Sequence, residues 1–126
     1  MLRVVPQLTV DDLARSVAFY TEHFGLKVTH RDPPDEPDLV LLEREDAGLY
    51  LTTAAGRSPS GRPGSRSAAR GAGVRLYFEV DDAAALHEAL AGAGAVIMQP
   101  LTTDEAEQYA EFVVADPDGY ELAVFS

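Results

Sequence analysis

Val4 to Val10 is a strand candidate that ends in the alternation Gln7-Leu8-Thr9-Val10, then apolar residues recur every three or four positions at Leu13, Val17, Tyr20 and Phe24. The first period is that of a strand and the second that of a helix face. Asp11-Asp12 stand at the junction, where a carboxylate can accept from the unpaired N–H groups of a first helical turn. Gly25 follows the last apolar position and predicts a left-handed C-cap. Pro6 is tolerable at a strand start or a sheet edge. Polar turns then separate three further strand-like segments, roughly Lys27–Arg31, Leu39–Arg44 and Gly48–Thr53.

The same order returns in the second half. Val74 to Val80 alternates, Asp81-Asp82 offers a second cap, and Ala83, Leu86, Leu90 and Ala93 mark one helix face with Gly92 and Gly94 at its end. Strand-like segments follow at Val96–Gln99, Tyr109–Ala115 and Tyr120–Phe125. Between the last two lies Asp116-Pro117-Asp118-Gly119, where Pro presets φ and Gly accepts the left-handed position of a tight turn. The Val-Asp-Asp of residues 10–12 recurs at residues 80–82. The reading is an α+β chain of two βαβββ modules, 1–53 and 74–126. They are joined by a Gly/Ser/Pro/Arg-rich segment, 54–73, which predicts a flexible loop.

At 126 residues, 46% of them hydrophobic, the chain can bury a sizeable core without staples. It has no cysteine, which excludes disulfides, thiol nucleophiles and thiolate metal sites together. No apolar run reads as a signal peptide or a membrane span, so a cytoplasmic protein without membrane partners is expected. The net charge is −11. Arg57, Arg62, Arg66 and Arg70 all fall in the acid-free segment 54–73, which leaves 6 bases against 21 acids elsewhere. Such a field repels nucleic acid and attracts cations. Besides colloidal solubility, it suits a cationic ligand.

The stretch from Leu8 to Tyr20, with Arg15-Ser16 and Phe19-Tyr20 inside it and His23-Phe24-Gly25-Leu26 after it, resembles the opening strand and helix of the vicinal oxygen chelate superfamily. This is the glyoxalase, bleomycin-resistance and dioxygenase group. Asp116 to Leu122 is similar to that family's closing hairpin. The resemblance implies a curved mixed sheet around a concave pocket, a homodimer, and a small-molecule ligand. In metal-dependent relatives four strands each supply a His, Gln or Glu to a divalent ion. Carried onto this chain, those positions fall at Val5, Tyr50, Arg75 and Ala123. Valine and alanine have no lone pair to give, and arginine is a fixed cation. A metal-dependent lyase, isomerase or dioxygenase is therefore disfavoured, and the resemblance points to the metal-free bleomycin-resistance-like branch.

Candidate ligand-binding residues are Gln7, Tyr50, Thr52, Arg75, Tyr77, Glu79, Glu111 and Phe125. Alternation puts Arg75, Tyr77 and Glu79 on one strand face. If Arg75 is buried it needs a partner, which is Glu79, Glu111, Glu121 or a ligand anion. Tyr50 and Tyr77 suit stacking on a planar ligand and equally suit a core. His23, His30 and His87 read as surface or helix-face residues. Ser58, Ser60, Ser65 and Ser67 have no base beside them, no phosphate loop follows a strand, and no cofactor is expected. The leading functional reading is metal-independent small-molecule binding, with antibiotic sequestration as its sharper form. The alternative is an enzyme that uses Arg75 with Glu79 or Glu111 for electrostatic and acid–base work. A third reading docks the 54–73 arginines on an acidic partner.

Overall fold

A computed structural model describes residues 1–53 and 70–126, and the chain divides into two compact units, Met1–Ala68 and Ala69–Ser126. Most of the predicted 54–73 loop, residues 54–69, lies outside the described residues. The first unit contains β1 (Gln7–Val10), α1 (Leu13–Phe24), β2 (Lys27–Asp32), β3 (Leu39–Arg44) and β4 (Ala47–Thr53). The second contains β5 (Arg75–Glu79), α2 (Ala83–Gly92), β6 (Val96–Asp104), β7 (Tyr109–Ala115) and β8 (Glu121–Phe125). Hydrogen bonding gives two separate four-stranded sheets, ordered β1-β4-β3-β2 and β5-β8-β7-β6. The expected α+β fold of two βαβββ modules is present, with each module forming its own mixed sheet and both sheets in the same order. In each, the first strand pairs parallel with the last and the other pairs are antiparallel.

Both predicted caps form, and in each the second aspartate does the work. Asp12 accepts from the Arg15 backbone N–H and Asp82 from that of Ala85, each at 3.0 Å. Both residues are extended, which aims the carboxylate along the opening turn. Gly25 closes α1 at φ 68°, while the Arg44 guanidinium donates to the Phe24 carbonyl at 2.8 Å. A cation there also opposes the negative end of the helix dipole. The closing turn is organised by buried Asp116, whose carboxylate accepts from the backbone N–H groups of Asp118 and Tyr120, each at 2.9 Å. Gly119 takes φ 94° in that turn.

Each core lies between a helix and one face of its own sheet. In the first unit Leu8, Val10, Val40, Leu42, Leu49 and Leu51 are buried with Tyr20 and Phe24 of α1. In the second, Phe112, Val114, Leu122 and Val124 are buried with Ala83 and Leu90 of α2. Burying each leucine or phenylalanine contributes roughly 1.5–3 kcal/mol, so these faces hold the units together. His87 packs edge-on against Phe112 at 5.1 Å and His23 against Phe19 at 5.2 Å, both as helix-face residues.

Several boundaries differ from the sequence expectation. β1 starts at Gln7 rather than Val4, because Pro6 has no N–H and only its carbonyl is used, by Tyr50 N–H at 2.9 Å. β6 runs to Asp104 rather than Gln99, crossing Pro100 on a sheet edge through register shifts after Ile97 and after Gln99. Ala93, expected on the buried helix face, is an exposed C-cap. On α1 the small Ser16 is buried while Leu13 and Val17 are only half-buried.

Two glycines test the helix ends with opposite signs. A Cβ on Gly25 would have to hold φ 68° and would meet Arg44 Nη1 at 3.1 Å. Gly25→Ala should cost about 1–2 kcal/mol. Gly92 closes α2 with open space where its Cβ would go and no positive φ, so Gly92→Ala should gain about 0.5–1 kcal/mol. Denaturant midpoints moving in the same direction for both variants would contradict this account.

Candidate functional site

With one face of each sheet under a helix, the opposite face carries the candidate residues, alongside buried Thr52 in the first unit and buried Val113 and Ala123 in the second. In the second unit that face carries Arg75, Tyr77 and Glu79 from β5, with Glu121 and Phe125 from β8 and Tyr109 and Glu111 from β7. Strand register fixes which of these meet. Arg75 lies opposite Glu121, Tyr77 opposite Ala123, and Glu79 opposite Phe125. Phe125 in turn lies opposite Glu111.

Arg75 is exposed, which corrects the premise that it is buried. Its Nε donates to Glu121 Oε2 at 3.3 Å, with both side chains 34% exposed. Of the three acids considered in the sequence, register selects Glu121. Hydrogen bonding to Tyr77, and then to Glu121, holds the guanidinium above even its ordinary high range. Beside this pair runs an aromatic row. The Phe125 ring stacks on Tyr109 at 6.1 Å and 30°, and meets Tyr77 edge-on at 6.4 Å. Tyr77 is 61% and Tyr109 39% exposed, so Tyr77 is a surface residue rather than a core aromatic.

Tyr109 was missed in the sequence reading, although it alternates with Glu111 and Val113 on one strand face. Its hydroxyl donates to Glu111 Oε2 at 2.5 Å. The neighbouring carboxylate pushes the phenol above the ordinary tyrosine range, because losing that proton would place two anions side by side. Glu79 is exposed, and among the described residues no cation is paired with Glu79 or Glu111.

In the first unit Gln7 and Tyr50 sit opposite each other, and Leu41 flanks Tyr50 on β3. Tyr50 is half-buried. Thr52 shares their face but is 1% exposed, and its hydroxyl donates to the Asp38 carbonyl at 2.9 Å. That bond ties β4 to the residues before β3. Nearby, Glu43 accepts from Thr29 at 2.5 Å and pairs with Arg3 at 2.7 Å, which together hold its carboxyl below the usual range. A hollow of about 310 Å³ is lined by Gly25, Lys27, Thr29, Glu43, Arg44 and Glu45. Its acids and Arg44 are already engaged with one another, with Arg3 and with the α1 carboxyl end.

Of the positions at which the resemblance implies metal ligands, Val5 and Tyr50 are half-buried, Ala123 is 1% exposed and Arg75 is in its ion pair. This set does not fit a divalent cation, which needs several imidazole or carboxylate donors converging on one point. Among the described residues no three His, Cys, Asp or Glu side chains are grouped as a metal would require. No helix among them is long and apolar enough to cross a membrane.

The model of the Glyoxalase/Bleomycin resistance protein/Dioxygenase superfamily matches residues 3–124. No curated protein matches in sequence. The fold is similar to TioX from Micromonospora sp. ML1, with 18% identity, 99% of this chain and 98% of that chain covered, and a TM-score of 0.79. It is also similar to an integron cassette protein from the mobile metagenome of V. cholerae, at 20% identity, 99% and 94% coverage and a TM-score of 0.71. A glyoxalase-related enzyme from Fulvimarina pelagi shares 24% identity, with 99% and 88% coverage and a TM-score of 0.67. At these identities the likeness carries the fold alone.

The Tyr109–Glu111 bond makes a titration testable. Raising the folded-state pKa of Tyr109 contributes stability that is present up to the ordinary tyrosine range and lost as pH rises through the shifted value. Glu111→Gln should therefore bring one phenol back toward that range in an ultraviolet phenolate titration. In Tyr109→Phe the same change at residue 111 should move nothing, and a shift surviving in that background would assign the effect to another tyrosine.

Proposed function

Because the chain belongs to the glyoxalase/bleomycin resistance protein/dioxygenase superfamily, we propose that it binds a small molecule without a metal ion and sequesters a cationic, aromatic antibiotic. The observation that carries this reading is the aromatic row Tyr77–Phe125–Tyr109, its two tyrosines exposed, beside the carboxylates of Glu79 and Glu111, with which no cation is paired among the described residues. Aromatic faces attract cations through their quadrupole as well as stacking on planar rings. The surrounding field of 6 bases against 21 acids outside the 54–73 segment steers a basic ligand toward the protein.

The donor set supports a metal-independent site, since Val5, Tyr50, Arg75 and Ala123 cannot between them coordinate a divalent ion. Ligand held without chemistry also suits Arg75, whose guanidinium is committed to Glu121 and not poised for a substrate anion. A cysteine-free, acidic chain suits a reducing cytoplasm, and a homodimer is the assembly that the family resemblance implies.

Binding to the native state alone stabilises it by mass action, about 2.7 kcal/mol at a hundredfold excess over Kd. Bleomycin or another basic aromatic antibiotic should raise Tm and be recovered chemically unchanged by mass spectrometry. The shift should survive EDTA and shrink in Tyr77→Ala and Phe125→Ala. A panel of glycopeptide and other cationic antibiotics that leaves Tm unmoved would overturn the reading. Turnover abolished by chelation would replace it with a metal-dependent enzyme.

A further inference from the structure

The carboxylates of this face are placed by register, and their placement says more than their number. Glu79 is the cross-strand neighbour of Phe125 on one side, and Glu111 is its neighbour on the other. Directly opposed residues on one sheet face have Cβ atoms about 4.5–5.5 Å apart. The two acids therefore bracket the Phe125 ring two strand spacings apart, roughly 10 Å. Tyr77 and Tyr109 complete the aromatic surface at the two diagonals.

Charge is unbalanced within this row and balanced beside it. Arg75, the cation of this face among the described residues, is paired with Glu121. Glu111 is held as an acceptor by the Tyr109 hydroxyl, while Glu79 stands exposed. A neutral ring would leave both carboxylates to water, and a ligand with one cation would answer only one of them.

Building on the binding function proposed above, we infer that the face of β5, β8 and β7 takes a planar aromatic dication, its ring over Phe125 and a basic group at each end meeting Glu79 and Glu111. Flat, forked cations such as amidinium or guanidinium fit best, because they bond a carboxylate through two parallel N–H groups. Each such contact is open to solvent and weakens with salt. The aromatic contact does not share that sensitivity.

A biphenyl bearing an amidine at each para end has its amidine carbons roughly 10 Å apart, which matches two strand spacings. Its monoamidine analogue keeps the ring and loses one charge. By titration calorimetry at low ionic strength, the native protein should bind the diamidine about five- to tenfold more tightly than the monoamidine. Glu79→Gln should bring that ratio close to one while leaving the monoamidine affinity within about twofold, because Glu111 still receives the single charge. Glu79 is exposed, so the variant should melt with the native protein. Equal affinity for the two probes, or a ratio unchanged in Glu79→Gln, overturns the two-carboxylate inference and leaves the antibiotic-binding proposal standing. If neither amidine nor any antibiotic of the panel binds, both fall together.

Discussion

Parallel pairing of the first strand with the last is the constraint from which each unit's use of its surfaces follows. Two parallel strands cannot be joined by a tight turn, so the chain must leave the sheet and return. Here α1 and α2 make that departure immediately after β1 and β5, and three antiparallel strands bring the chain back. The helix covers one sheet face and takes its large apolar residues. Leu8, Val10, Leu49 and Leu51 in one unit, with Leu122 and Val124 in the other, are committed to that layer. Several of their alternates on the same strands are released from the helix-covered layer, although Thr52 and Ala123 among them, like Val113 on β7, are still buried. Gln7, Tyr50, Tyr77, Glu79 and Phe125 all belong to this released set.

On the released face of the second unit, electrostatics is settled by cross-strand neighbours. Arg75 next to Glu121 removes one positive and one negative charge from consideration. What remains among the described residues is an aromatic row with two carboxylates that no cation pairs, one of them accepting from Tyr109. Had Arg75 faced Glu79 instead, the same composition would leave a neutral surface with a spare acid at its margin. The chemistry of the site thus depends on a parallel register and not only on which residues are present.

This explains which features were legible in sequence. Caps, turns and the duplicated order are local, and Asp12, Asp82, Gly25 and Asp116 behave as short-range rules require. The face shared by Arg75, Tyr77 and Glu79 is also local, being set by period two. The partner of Arg75 was not legible, because alternation names a face and leaves the register open. Thr52 shows the same limit: on a released face by period, it is nonetheless buried by a bond to the Asp38 carbonyl. Tyr109 escaped notice because it opens a strand and gains meaning only beside Phe125, which lies 16 positions later in the sequence. Pro6 and Pro100 act on strand ends in opposite directions. One removed a donor where a strand was expected to begin, and the other was absorbed by irregular register on an edge.

The two halves kept one architecture and diverged on the face that architecture leaves open. Aligning the repeated Val-Asp-Asp puts Val5 in correspondence with Arg75, Gln7 with Tyr77 and Thr9 with Glu79. Register extends the match to the last strands, where Thr52 opposite Thr9 corresponds to Phe125 opposite Glu79. The first half fills these places with neutral side chains and the second with aromatic and charged ones. Core positions show no such split, since both layers need apolar volume under a helix. A face on which a metal needs one donor from each of several strands would hold both halves to similar side chains. The divergence of these pairs leaves the second unit's face organised by the two carboxylates on either side of Phe125, and the corresponding places in the first unit to neutral side chains.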